Sequence, residues 1–131
     1  MADTLLETTT TNGRGKPLSI KVTAEEQTQT QGTMRVDVLK VTLIADGDPV
    51  GTISFNPATD LMELSGMSLS LANYTSCLVA CGLGHLVSDI LDCRRQGNKT
   101  VKKLIDCLKK KGHHLSLNLI NCAVACLASL P

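Results

Sequence analysis

Six cysteines, Cys77, Cys81, Cys93, Cys107, Cys122 and Cys126, are the residues of this 131-residue chain whose spacing most clearly carries chemistry. All lie in its last third, separated by 3, 11, 13, 14 and 3 residues. A four-residue step at each end sets Cys77 beside Cys81, and Cys122 beside Cys126, on one face of a helix. Oxidised, the six form up to three disulfides, and bridges at roughly 2–4 kcal/mol each hold a domain too small for a large core. Reduced, four thiolates from two packed helices suit Cu(I) or Zn(II). The CxxC step of zinc knuckles is absent, and disulfides are the expectation.

The other candidates are polar. His85 and Asp89 stand one turn apart, as acid–base partners would, but no nucleophile or oxyanion motif accompanies them. They read as a polar helix face. His113 and His114 read as solvated loop residues beside a lysine run. Asn73 and Asn98 each open an Asn-x-Thr glycosylation tripeptide. Arg94, Arg95, Lys99, Lys102, Lys103, Lys109, Lys110 and Lys111 form a basic cluster opposite a continuous apolar helix face. That combination suits an anionic membrane surface. With one Phe, one Tyr and no Trp, the chain lacks the aromatic platforms that stack bases, so nucleic acid is not an expected partner. No catalytic motif is present, and the chain reads as a non-enzyme that calls for no cofactor or metal.

The elements that must position these residues fall into two halves of opposite charge. Residues 1–72 carry five basic and nine acidic groups, and residues 73–131 carry eight and three. Residues 1–17, rich in Thr and Gly, read as a flexible tail. From 18 to 57 the apolar period is two, through Ile20, Val22 and Ala24 and then Met34, Val36 and Val38. Ala45-Asp46-Gly47-Asp48-Pro49 is hairpin chemistry between two β-branched runs. Residues 58–72 read as a linker with a short helical turn from Thr59 to Leu64, stopped by Gly66 and open to cleavage.

From 73 onward the period becomes 3.6. The first helix, Ser76 to Arg95, carries Gly82 and Gly84, which suggest close packing against a neighbour. The second, Lys99 to Lys111, sets Val101, Leu104, Ile105 and Leu108 at i, i+3, i+4 and i+7, with Gly112 as its stop. The third, Ser116 to Ser129, is apolar nearly all round and so either central or membrane-entering, yet too short to span a bilayer. Short loops at 94–98 and 112–115 predict a three-helix bundle. The expected fold class is α+β: a small antiparallel sheet region, then a disulfide-stapled three-helix bundle.

If the first and third helices run antiparallel, nested bridges follow: Cys77–Cys126, Cys81–Cys122 and Cys93–Cys107. If they run parallel, Cys77–Cys122 and Cys81–Cys126 fit better. Six cysteines allow fifteen pairings. The nested order, with lysine-rich amphipathic helices, resembles the saposin-like peptides that bind and perturb membranes, and looks like disulfide-stapled helical bacteriocins. The resemblance covers residues 73–131 and departs from the saposin-like pattern in its first two cysteine gaps. The CxxxC pairs also look somewhat like those of copper-storing helical bundles.

These observations lead to three expectations. In the first, 18–57 is an acidic pro-region and 73–131 a cationic, disulfide-stabilised helical peptide that perturbs membranes. It would be secreted by a route other than a standard signal peptide, with a cytoplasmic location as the alternative. Its expected partners are an anionic membrane surface and, secondarily, other copies of itself. The second expectation is a non-enzymatic binding or structural protein whose two parts stay packed. The third is an intracellular thiolate protein that binds copper or zinc.

Overall fold

Alternating β-branched and polar residues build the first half of the chain into a sheet, and helical periodicity builds the second into a layer across it. The structure, a computed structural model, describes residues 2–11, 17–66 and 73–126. Five strands, β1 (Asp3–Thr11), β2 (Pro17–Gln31), β3 (Met34–Ala45), β4 (Asp48–Asn56) and β5 (Leu61–Gly66), pair antiparallel in chain order. Three helices follow, α1 (Asn73–Arg95), α2 (Val101–Lys110) and α3 (Gly112–Ala125). The fold is α+β.

The hairpin expected around Asp46 joins β3 to β4. Asp46 (φ 51°) and Gly47 (φ 84°) both take left-handed backbone, as a two-residue turn matched to strand twist requires. The same turn holds β2, since Ser19 N donates to Asp46 Oδ1 (2.9 Å) and Asp46 N donates to Ser19 O (2.8 Å). Register then aligns one apolar face: Val22 pairs with Leu43, Ala24 with Val41, Val41 with Ile53, and Leu39 with Phe55. Lys21, Thr23, Lys40, Thr42, Thr52 and Ser54 alternate with these residues onto the opposite face.

All three helices cover the apolar face. Leu78, Leu86, Ile90, Val101, Leu104, Leu108, Leu115 and Leu119 join the sheet residues in one continuous core. Each fully buried side chain of this kind stabilises the fold by roughly 1.5–3 kcal/mol. α1 lies across β3 and β4, α2 across β1 to β3, and α3 along β1 and α1. A Cβ on Gly51 of β4 would stand 2.9 Å from Leu83 Cδ1, and one on Gly82 of α1 would stand 2.9 Å from Leu119 Cδ2. Gly82 thus marks the close packing its position suggested. Gly84 does not, having nothing within 4 Å.

Several expectations need correction. Within the expected tail at 1–17, residues 3–11 form β1. Its adjacent leucines, Leu5 and Leu6, hide any period of two. The register slips between Thr4 and Leu6, and this bulge at Leu5 lets both side chains be buried. The expected helical turn at Thr59–Leu64 is instead a turn followed by β5. Asn56 Oδ1 accepts from Ala58 N (2.9 Å), and pairing with β4 satisfies backbone groups that a single helical turn would leave open. The remainder of the expected linker, 67–72, lies outside the described residues.

The third helix begins at Gly112, not Ser116: α2 ends just before Gly112 as expected, but Gly112 opens α3 directly. Lys111 alone (φ −91°, ψ 3°) separates α2 from α3, so the two meet at a bend where a hairpin with a loop at 112–115 was expected. Nor is α3 central. It lies along the edge strand β1, with Leu117 48% and Val124 62% exposed. The helices share one core with the sheet.

Candidate functional site

α2 is the best-defined amphipathic element. Thr100 caps its start, its hydroxyl accepting from Lys103 N (3.2 Å). Val101, Leu104, Ile105 and Leu108 are buried, which turns Lys102, Lys103, Lys109 and Lys110 outward. Lys109 and Lys110 occupy the last turn, where positive charge opposes the helix dipole favourably. The preceding turn closes with Gly97 (φ 96°) and with Asn98 Nδ2 donating to Cys93 O (2.8 Å). The Asn98 amide of the second glycosylation tripeptide is thereby engaged; the Asn73 side chain lies outside the described residues.

The eight basic residues do not act alike. Arg94 holds the β4–β5 turn, with Nε 3.1 Å from Asp60 Oδ1 and 3.3 Å from Pro57 O. Lys109 Nζ lies 3.4 Å from Asp3 Oδ2 on β1. Lys111 Nζ donates to Asp92 Oδ2 at 2.6 Å. Among the described residues Arg95, Lys99, Lys102, Lys103 and Lys110 form no ion pair, and all are exposed. Lys103 and Lys110, with Gln96, Asn98, Asp106 and Cys107, line an open cleft of about 350 Å³. Asp106 interrupts an otherwise basic surface.

Three disulfides tie the helices to one another: Cys77–Cys126, Cys81–Cys122 and Cys93–Cys107, with Cα separations of 5.7, 5.8 and 5.9 Å. Cysteines four apart on α1 thus meet cysteines four apart in reverse order, so α1 and α3 are antiparallel and the nested pairing is the one formed. Carrying that step on along both helices brings His85 level with Asn118 and Asp89 level with His114. His114 Nε2 and Asn118 Nδ2 are 3.1 Å apart. The cysteine rungs thus continue as polar rungs toward Lys111. His113 and His114 are exposed as expected, but on the first turn of α3 and not in a loop.

Asp89 is not on a solvated face. It is 6% exposed, and its buried Oδ2 has no hydrogen-bond partner among the described residues. Burial pushes its carboxyl above the usual range; the charges of Lys111, His114 and His85 pull it back and that of Asp92 adds to the rise. Asp92 is displaced the other way, its carboxyl held low chiefly by the hydrogen bond from Lys111. That bond raises the Lys111 amine in turn.

Donor atoms of Cys81, His85 and Cys122 lie within 4.8 Å of one another, the two sulfurs being joined as a disulfide. Among the described residues no helix is long and apolar enough to cross a membrane. Asp3 and Asp60 were not among the residues singled out in the sequence, because their roles depend on β1 and on the β4–β5 turn. No protein-family model, curated protein or solved structure matches the chain.

Proposed function

We propose that the chain is a latent, cationic, disulfide-bonded helical peptide held beneath its own acidic sheet, acting on anionic membranes once the two part. One observation carries this reading. Every disulfide begins and ends within residues 77–126, whereas among the described residues the sheet half holds the helices by apolar packing, the ion pairs of Asp3 and Asp60 and the hydrogen bond from Arg94 to Pro57 O. A cut between Gly66 and Asn73 leaves no covalent tie between the halves. The freed helices stay joined as a disulfide-stapled three-helix bundle. Its exposed lysines dock on anionic lipid, while Leu117, Val124 and the uncovered core face enter the interface. Three disulfides fit an oxidising destination outside the cell, and no enzymatic step is part of this reading.

The continuous core favours a second reading, a non-enzymatic binding protein whose sheet and helices stay packed. A protease site placed within 67–72 of the full chain separates the two. On the first reading, cleavage lets the helical fragment dissociate on vesicles of anionic lipid and release trapped dye, which the uncut chain does weakly. Sealed vesicles with both the cut chain and an isolated 73–131 peptide would overturn it. A cut chain that elutes as one unit in the presence of vesicles supports the second reading.

A further inference from the structure

We propose that reduction of the Cys81–Cys122 disulfide converts this rung of the α1–α3 seam into a metal site, with the two thiolates and the His85 imidazole binding Zn(II). The donors come from two elements that the fold already holds together. Cys81 and His85 stand one turn apart on α1, Cys122 faces them from α3, and the three donor atoms lie within 4.8 Å of one another. Cys122 is buried, while Cys81 and His85 are half-buried, so the site is shielded yet reachable. Two soft sulfurs and one imidazole suit Zn(II), which takes four ligands and here leaves one position for water or a further side chain.

The next rung strengthens the assignment. Asp89, one turn beyond His85 on α1, keeps a buried carboxylate oxygen without a partner among the described residues. A ligating His85 that turned its second ring nitrogen to that oxygen would gain a partner that fixes the ring and raises its basicity. In the oxidised chain the two sulfurs are bonded to each other and cannot serve as thiolates.

The conversion balances with a dithiol reductant of the kind that keeps cellular thiols reduced. Its two thiols become a disulfide as the Cys81–Cys122 bond breaks, and their two protons pass to the cysteine sulfurs. Zn(II) then displaces both protons as two zinc–sulfur bonds form. A metal cross-link thus replaces the covalent one between the same two helices in a reducing compartment. This goes beyond membrane action and does not depend on it.

The test uses the full chain, reduced and freed of reductant without oxygen, with Co(II) as an optical probe that Zn(II) displaces. The expected result is one Co(II) per chain with sulfur-to-metal absorption and the visible bands of a tetrahedral site, absent from the oxidised chain. A Cys77→Ser/Cys126→Ser variant keeps the spectrum. His85→Ala shifts the bands and weakens binding by about 100-fold, since loss of a ligand's supporting hydrogen bond alone costs roughly 10–100-fold. Each variant is checked for folding in its oxidised form by circular dichroism. Equal binding by His85→Ala, a spectrum lost with Cys77→Ser/Cys126→Ser, or no stoichiometric Co(II) would overturn the proposal. The second of these outcomes marks a four-thiolate site instead.

Discussion

Gly112, the first residue of α3, lies so close to the Leu5 carbonyl that a Cβ built on it would stand 2.8 Å from that oxygen. Leu5 is the bulged residue of β1, so the edge strand and the start of the last helix meet backbone to backbone. Gly112→Ala adds helix propensity worth up to about 1 kcal/mol but drives a methyl into a main-chain atom that cannot swing aside. The expected net effect is a loss of about 1–3 kcal/mol, read from the urea midpoint. A variant more stable than the parent would mean that α3 is not seated on β1.

Removal of the Cys93–Cys107 bridge tests how far the α1–α2 turn depends on it. The bridge closes a loop with a sequence separation of 14, and loops near this length are stabilised by about 3 kcal/mol through restriction of the unfolded chain. Cys93→Ala/Cys107→Ala should lower unfolding free energy by about that amount. The Thr100 cap and the Asn98 bond to Cys93 O should survive, leaving helix content by circular dichroism unchanged.

Acid stability should divide between two neighbouring aspartates. Asp92 titrates below its ordinary range because of Lys111, so its contribution is present above the unfolded-state value and is lost as pH falls through the depressed one. Asp92→Asn should therefore be less stable than the parent at neutral pH and equal to it in strong acid. Asp89 titrates above its ordinary range because it is buried. Between the ordinary and raised values the folded chain keeps a proton that the unfolded chain releases, so stability falls as pH rises through that window. Asp89→Asn should remove the fall and be the more stable protein at neutral pH. Urea midpoints from pH 3 to 8 read both effects, and parallel curves for parent and variants would contradict them.

Membrane docking should depend on the unpaired lysines of α2 and not on Lys111, which Asp92 holds. Each lysine near an anionic surface contributes about 1 kcal/mol, so neutralising Lys102, Lys103 and Lys110 to Gln should weaken binding of the 73–131 peptide to anionic vesicles by about 100-fold. Lys111→Gln removes a charge already matched by Asp92 and should change binding little while lowering stability. A loss of about fivefold from Lys111→Gln, the share of one charge in three, would point to net charge rather than to the α2 surface.

Local pattern determined much of this protein. The i, i+3, i+4, i+7 spacing of Val101, Leu104, Ile105 and Leu108 defined the buried side of α2, and Asp46-Gly47 defined a hairpin. The alternation through Ile20, Val22 and Ala24 defined strands, because burial of one face imposes the period of the element itself. The cysteine steps limited the bridges to few arrangements but left the direction of α3 open.

Tertiary structure decided what neighbouring residues in the chain could not. Leu5 and Leu6 become a strand only because β2 offers an edge and a bulge relieves their equal burial. Leu61–Gly66 extends because β4 satisfies its backbone. Asp89 looks like a member of a polar stripe until α3 closes over it. α3, apolar on nearly every side, was expected at the centre or in a membrane, yet the sheet supplies a larger apolar face and leaves Leu117 and Val124 exposed at its rim. Periodicity reports that a face must be buried; which surface buries it depends on contacts between residues far apart in the chain, and those exist only once the sheet and helices have met.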